Sequence, residues 1–270
     1  MDNLINADDL KNLAAFGERL ADAAAEKTLT HFRAALDVAN KDAQDFDPVT
    51  QADREAEQAI RQIIEQDYPM HSILGEEFDE KIGNDMQWVI DPIDGTRAYI
   101  TGMPVWGTLI ALNQGGTPVL GIFDQPYTGE RLIGQKGAPT MFKKGATYEP
   151  VQTRACPQIE SAICATTDPR FFINTTGEAE MNSLLARAQL MRYGGDCYNY
   201  AMLACGQIDA VIEQGLKAHD IQALIPIIEG AGGYVTNWQG GCAAQGGQII
   251  ASGDKALHEA LIELFSSAAL

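Results

Sequence analysis

The chain has 270 residues, 46% of them hydrophobic and 21% charged, and a formal net charge of −18. Such a length permits one large domain, or two closely packed ones, with a sizeable core. The acidic excess argues against broad electrostatic binding of nucleic acid or of an anionic membrane. An anionic substrate would need local help, from a metal or from a few placed Arg and Lys.

No apolar run approaches the roughly 20 residues that span a bilayer. The acidic start, Met1 to Asp9, lacks the basic and apolar regions of a signal peptide. A cytoplasmic location is the expectation. Five cysteines without a C-x-x-C read as free thiols in a reducing compartment. Four histidines without H-E-x-x-H argue against a zinc hydrolase.

Residues 8–38 read as a helix, since Leu10, Leu13, Phe16, Leu20 and Ala24 recur at helical spacing and Asp8 can cap it. In Asp45-Phe46-Asp47-Pro48-Val49-Thr50-Gln51-Ala52-Asp53, Pro48 holds the chain extended. Thr50 then caps a helix reaching about residue 66. Thr50 and Asp53 form a capping box by themselves, and Asp53 needs no other role at this point. Residues 72–78 read as a short strand ending in Glu76 and Glu77, which are surface acids unless this strand end lies near Asp91.

Residues 86–90 form the next strand and run into Asp91-Pro92-Ile93-Asp94-Gly95-Thr96. Two carboxylates where an apolar run meets turn chemistry suit Mg²⁺. Gly95 and Thr96 offer N–H groups and a hydroxyl for phosphate at a helix start. An acidic turn that merely caps a helix stays open as the alternative. Residues 105–112 and 119–123 read as strands joined by a Gly-Gly hairpin turn, with more strand and turn up to Gly137. The pattern weakens over residues 140–157, and a boundary there divides the chain into 1–147 and 148–270.

The second half alternates. Strands are expected at 161–165, 189–193, 210–213, 234–236 and 248–251, with helices at 178–187, 198–205, 220–229 and 255–265. Pro226 either kinks its helix or sits in the first turns. The first half therefore reads as α+β on a largely antiparallel sheet, and the second as α/β on a mostly parallel mixed sheet.

The order D-P-V-T-Q-A-D, G-E-E, D-P-I-D-G-T, H-D-I-Q-A and G-A-G-G resembles the inositol monophosphatase superfamily of Mg²⁺-dependent, lithium-sensitive phosphatases, over nearly the whole chain. Within it, Thr96 to Gly102, Gly194 to Tyr198, Leu216-Lys217 and Ile221 to Pro226 resemble the histidinol-phosphatase branch. The resemblance implies a layered αβαβα sandwich, a homodimer, a small phosphorylated substrate and two to three Mg²⁺ per site, with Mn²⁺ as an alternative. It implies Glu76, Asp91, Asp94, Asp220 and the Ile93 carbonyl as metal ligands, with Asp91 bridging two ions. Metal-activated water would be the nucleophile, Asp53 accepting from the Thr96 hydroxyl to help deprotonate it and Glu76 assisting from the metal side.

The N–H groups of Gly95 and Thr96 would hold phosphate. Asp196 and Glu213 would face the ammonium and imidazole of L-histidinol phosphate. Arg97 and Arg192 would reach phosphate or serve in structural ion pairs, and Asp196 is also a plausible helix cap. Position 219 is His where relatives have Trp or Tyr, and its ring is expected to pack. Inositol-1-phosphate or sugar-phosphate hydrolysis is the alternative activity. A metal-binding regulatory protein is the alternative of another class.

Overall fold

The computed structural model describes residues 5–34, 38–40 and 48–268. The loop acids Asp45 and Asp47, the chain's first residues, Met1 to Leu4, and residues 35–37 lie outside the described residues; the helix expected over 8–38 ends at His31, where Phe32 turns extended, and Val38 belongs to a strand.

Five layers alternate helix and sheet. The outer layer holds α1 (Ala7–His31) and α2 (Gln51–Asp67). Leu10, Leu13, Phe16, Leu20 and Ala24 make the buried stripe of α1, as their spacing predicts. Asn6, not Asp8, caps the helix, its side chain accepting from Asp9 N–H at 2.9 Å. A two-stranded ribbon, β1 (Val38–Asn40) and β2 (Pro48–Thr50), links the pair.

These helices cover a seven-stranded sheet of β3 (Ser72–Gly75), β4 (Met86–Asp94), β5 (Gly107–Gln114), β6 (Thr117–Gln125), β7 (Glu130–Gln135), β8 (Met141–Lys144) and β9 (Thr147–Pro150), in that spatial order. Only the β3–β4 pairing is parallel. Trp88 and Ile90 of β4 face α1 and α2, while Val89 faces the second half. Cover on both faces explains why β4 reads as an unbroken apolar run. A short helix, α3 (Thr96–Ile100), follows β4 and is pinned by Tyr99, whose hydroxyl donates to the Thr28 carbonyl at 2.6 Å.

The second sheet contains β10 (Ile163–Thr166), β11 (Leu190–Tyr193), β12 (Ala210–Leu216), β13 (Tyr234–Asn237) and β14 (Gly247–Ser252), in the order β11-β10-β12-β14-β13. The middle layer, between the sheets, is α5 (Asp196–Ala204), α6 (Ala218–Ile221) and α7 (Leu224–Gly230). On the far side lie α4 (Glu178–Arg187) and α8 (Lys255–Phe265). The layered sandwich is thus the expected one, with a finer difference in strand direction. Two pairings of the second sheet are parallel and two antiparallel, because β13 and β14 form a return at one edge. The expected helix over 220–229 is two helices, and Pro226 lies in the first turn of α7, where its missing N–H does no harm.

One contact sets the height of the middle layer. Gly121 of β6 and Gly134 of β7 are register partners. A Cβ on Gly121 would lie 1.8 Å from the Ala223 carbonyl oxygen, and one on Gly134 would lie 2.4 Å from Ile227 N. The backbone after Asp220 therefore rests directly on the sheet. Asn113 of β5 holds the same segment, donating to Gln222 Oε1 at 2.7 Å. Gly121→Ala is expected to destabilise the fold by about 3 kcal/mol or more, because backbone rather than a flexible side chain must give way. Urea unfolding measures this.

Candidate active site

The cleft lies where the C-terminal end of β4 meets β12, α5 and α6. Its lining includes Glu76, Asp91, Ile93, Asp94, Gly95, Thr96, Arg97, Asp196, Glu213, His219 and Asp220. The two parts of the sequence motif set are therefore one place in space.

β4 runs further than its apolar residues suggest, to Asp94, with a break in register against β5 between Asp91 and Asp94. Pro92 has no N–H for the ladder, so a bulge is the natural outcome. The bulge is fixed at both ends. Thr108 Oγ1 donates to the Pro92 carbonyl at 2.8 Å, and Ile93 N–H donates to Asp91 Oδ1 at 3.1 Å. Gly95 follows with φ 88°, a left-handed value that favours glycine. A Cβ there would also press on Asp196 Oδ2 at 3.1 Å. Asp94 Oδ2 accepts from Cys197 N–H at 2.7 Å, which ties this motif to the start of α5.

Carboxylate oxygens of Asp91, Asp94 and Asp220 lie within 4.8 Å of one another, and so do ligand atoms of Glu76, Asp91 and His219. Burial pushes Asp91 well above the usual carboxylate range, and the charges of Glu76, Asp94 and Asp220 add to it. Burial, then Asp196 and Asp220, do the same to Asp94. Burial also raises Asp220, against the opposing pull of His219 and Lys217. Buried like charges this close disfavour ionisation unless cations join them. Hard oxygen donors in this number fit Mg²⁺ or Mn²⁺.

A model of the inositol monophosphatase family matches residues 9–270. The chain belongs to this family. Among its relatives, the bifunctional phosphatase IMPL2 of Arabidopsis thaliana is 42% identical over 94% of this chain and 75% of that protein. The histidinol-phosphatase of Chlorobaculum parvum is 36% identical over 90% of this chain and 92% of that one. A solved inositol monophosphatase from Zymomonas mobilis superposes with a TM-score of 0.85 at 42% identity, covering 97% of this chain and all of that one (100%). Membership in the inositol monophosphatase family makes the chain a phosphoric monoester hydrolase of a metal-dependent kind, and the acidic cleft is where a metal fits. Among the described residues, no helix is long and apolar enough to cross a membrane.

Four residues differ in their surroundings from what the sequence predicts. Asp53 closes a capping box and accepts from Thr50, at 2.6 Å from the hydroxyl and 2.8 Å from N–H. The Thr96 hydroxyl instead folds back to the Ile93 carbonyl at 3.0 Å, so the expected Thr96–Asp53 hydrogen bond is replaced by two local ones. Asp53 stays within electrostatic reach of Glu76, and burial lifts its pKa to about 6. Arg192 sits exposed on the edge strand β11 and is not among the cleft-lining residues. Asp196 is the first residue of α5, at φ 43°, and the cap position is held by Gly195, so the cap role does not fall to Asp196. Burial raises it to about 6 against the opposing pull of Gly195 N–H and Arg97. Arg97 lies at the rim, its guanidinium 5.2 Å from the Phe171 ring centre.

Glu213, the last buried residue of β12, accepts from Thr167 N–H at 2.6 Å and Thr166 Oγ1 at 3.2 Å. Burial lifts it to about 8. Sequence reasoning missed Glu57. Its buried carboxylate takes Arg61 Nε at 2.6 Å and Glu77 N–H at 2.7 Å, and so holds the loop that carries Glu76. The Glu57–Arg61 spacing on α2 was the available signal.

Proposed function

We propose that the protein hydrolyses L-histidinol phosphate to L-histidinol and phosphate. One observation carries the reading. Beyond Glu76, Asp91, Asp94 and Asp220, the cleft holds two further carboxylates, Asp196 and Glu213. An ammonium and an imidazole suit such a wall, whereas a neutral polyol gives the Asp196 carboxylate no cation to meet. Glu213 near 8 carries a proton at neutral pH, and an arriving cation would draw that proton off. Relatives bearing the histidinol-phosphatase name support the choice.

In this reading Glu76, Asp91, Asp94, Asp220 and the Ile93 carbonyl would hold two to three Mg²⁺, or Mn²⁺. When bound, such ions supply Lewis-acid charge and lower the pKa of water. The chain does the rest. Asp53, near 6, is suited to accept a proton around neutrality. Thr96, whose hydroxyl donates to the Ile93 carbonyl, would orient the attacking water by accepting from it, and the N–H groups of Gly95 and Thr96 at the start of α3 would receive phosphate oxygens. Arg97 closes the rim over the phosphate.

A protonated Glu213 can also hydrogen-bond a sugar hydroxyl. That favours inositol-1-phosphate as the second reading, in line with the Zymomonas mobilis neighbour. Side-by-side kcat/KM values on the two esters decide, and faster turnover of inositol phosphate overturns the proposal. Asp196→Asn is expected to lower kcat/KM on histidinol phosphate about 10- to 100-fold, the loss of one charge-assisted hydrogen bond. The same variant should leave the inositol ester within a few-fold.

A further inference from the structure

The ligand atoms in the cleft fall into two sets of different chemistry. Asp91, Asp94 and Asp220 form one, entirely of oxygen. Glu76, Asp91 and His219 form the other, in which an imidazole nitrogen lies within 4.8 Å of both carboxylate oxygens. Asp91 is common to both. Two ligands on opposite sides of a small divalent ion lie roughly 4.2 Å apart, and the atoms of each set lie within 4.8 Å of one another, close enough to converge on one ion. The His219 side chain is 11% exposed and lines the cleft, with Nε2 3.4 Å from Asp220 Oδ1. His219 is the second residue of α6. The Trp or Tyr expected at this position would bring no nitrogen ligand, since an indole N–H only donates.

We infer that His219 is a metal ligand and that the cleft holds two unlike ions, Mg²⁺ among Asp91, Asp94 and Asp220, and a transition ion such as Mn²⁺ or Co²⁺ among Glu76, Asp91 and His219. The chemistry of the donors dictates the split. Mg²⁺ prefers oxygen and keeps its waters, whereas imidazole raises affinity along the series from Mn²⁺ to Co²⁺ and Zn²⁺. The inference rests on reading the acidic cluster as a metal centre and holds for either phosphate ester.

The test is spectroscopic. The metal-free full-length protein is loaded with one equivalent of Mn²⁺ in the presence of Mg²⁺ and studied by pulsed EPR. Couplings from a directly bonded ¹⁴N are expected in the wild type and absent in His219→Tyr and His219→Asn. Calorimetric titration should show the Mn²⁺-over-Mg²⁺ affinity ratio falling at least about tenfold in both variants. Far-UV circular dichroism shows that the variants fold. Bound Mn²⁺ without nitrogen coupling, or coupling that survives both substitutions, overturns the role of His219 and leaves the acidic metal centre standing. Absence of any Mn²⁺ or Mg²⁺ binding overturns both.

Discussion

Asp91→Asn is expected to lower kcat on a phosphate monoester by about 10³-fold or more, while raising the thermal stability of the metal-free protein at pH 8. The activity loss follows from Asp91 being shared by both ligand sets. One substitution would weaken both groups that could hold an ion, and several kcal/mol of charge stabilisation corresponds to three or more decades in rate. The gain in stability has a separate cause. Asp91 is buried, and Glu76, Asp94, Asp220 and Asp53 all oppose its ionisation. Asparagine keeps the shape and the Oδ1 that accepts from Ile93 N–H, but carries no charge to repel. Melting in EDTA at pH 8, beside steady-state rates with Mg²⁺, checks both halves. A lower melting temperature would mean that the carboxylate supports the bulge more than its neighbours oppose it.

Without metal, the protein is expected to lose stability between pH 6.5 and pH 8, and saturating Mg²⁺ to remove or reverse that loss. Glu213 sits at about 8 in the fold, and Asp91 and Asp94 are raised well above their ordinary values. In the unfolded chain these groups ionise near pH 4. Between the two values the folded state binds more protons, so stability falls as pH rises through the folded pKa. Asp53 and Asp196, each near 6, contribute at the lower edge of this range. His258, depressed by burial to about 4, and His71, also depressed by burial, act in the opposite sense below about pH 6.5, which sets the lower limit of the comparison. Metal reverses the slope because it binds the deprotonated carboxylates and tightens as pH rises. At 100 times its Kd a single ion adds about 2.7 kcal/mol. Thermal melts at the two pH values, with EDTA and with Mg²⁺, give the four numbers. A metal-free protein equally stable at both would show that the cluster is not strained by its own charge.

What was legible in the chain was local or came as a motif. Leu10 to Ala24 marked α1 by periodicity, and Thr50 with Asp53 marked the start of α2. Asp91 and Asp94 marked a ligand site by their chemistry and by the glycine that follows. The convergence of Glu76 and Asp220 on them was expected through family resemblance, since neither is near them in sequence. Features that depend on partners distant in sequence were not legible. Glu57 reads as an ordinary helix acid until the Glu77 backbone is seen against it. His219 reads as a packing ring until its nitrogen is placed beside Glu76 and Asp91. Arg192 has a suitable charge, but strand order puts it on an edge away from the cleft lining. The antiparallel return of β13 and β14 was hidden because helix–strand alternation does not report direction.

The paired glycines on β6 and β7 have a bearing on how the family can drift. Neither Gly121 nor Gly134 lines the cleft. Yet the absence of two methyl groups there fixes how far the segment after Asp220 stands from the strand that carries Asp91 and Asp94. Selection on ion spacing therefore reaches positions that a ligand-contact map would assign to scaffold. With His219 as a ligand, as inferred above, a lineage could retune its ions by exchanging the ring at position 219, one side chain at a time. Changing the spacing itself would require both glycines and the helix above them to change together, a coupled change where the ring needs only a single one.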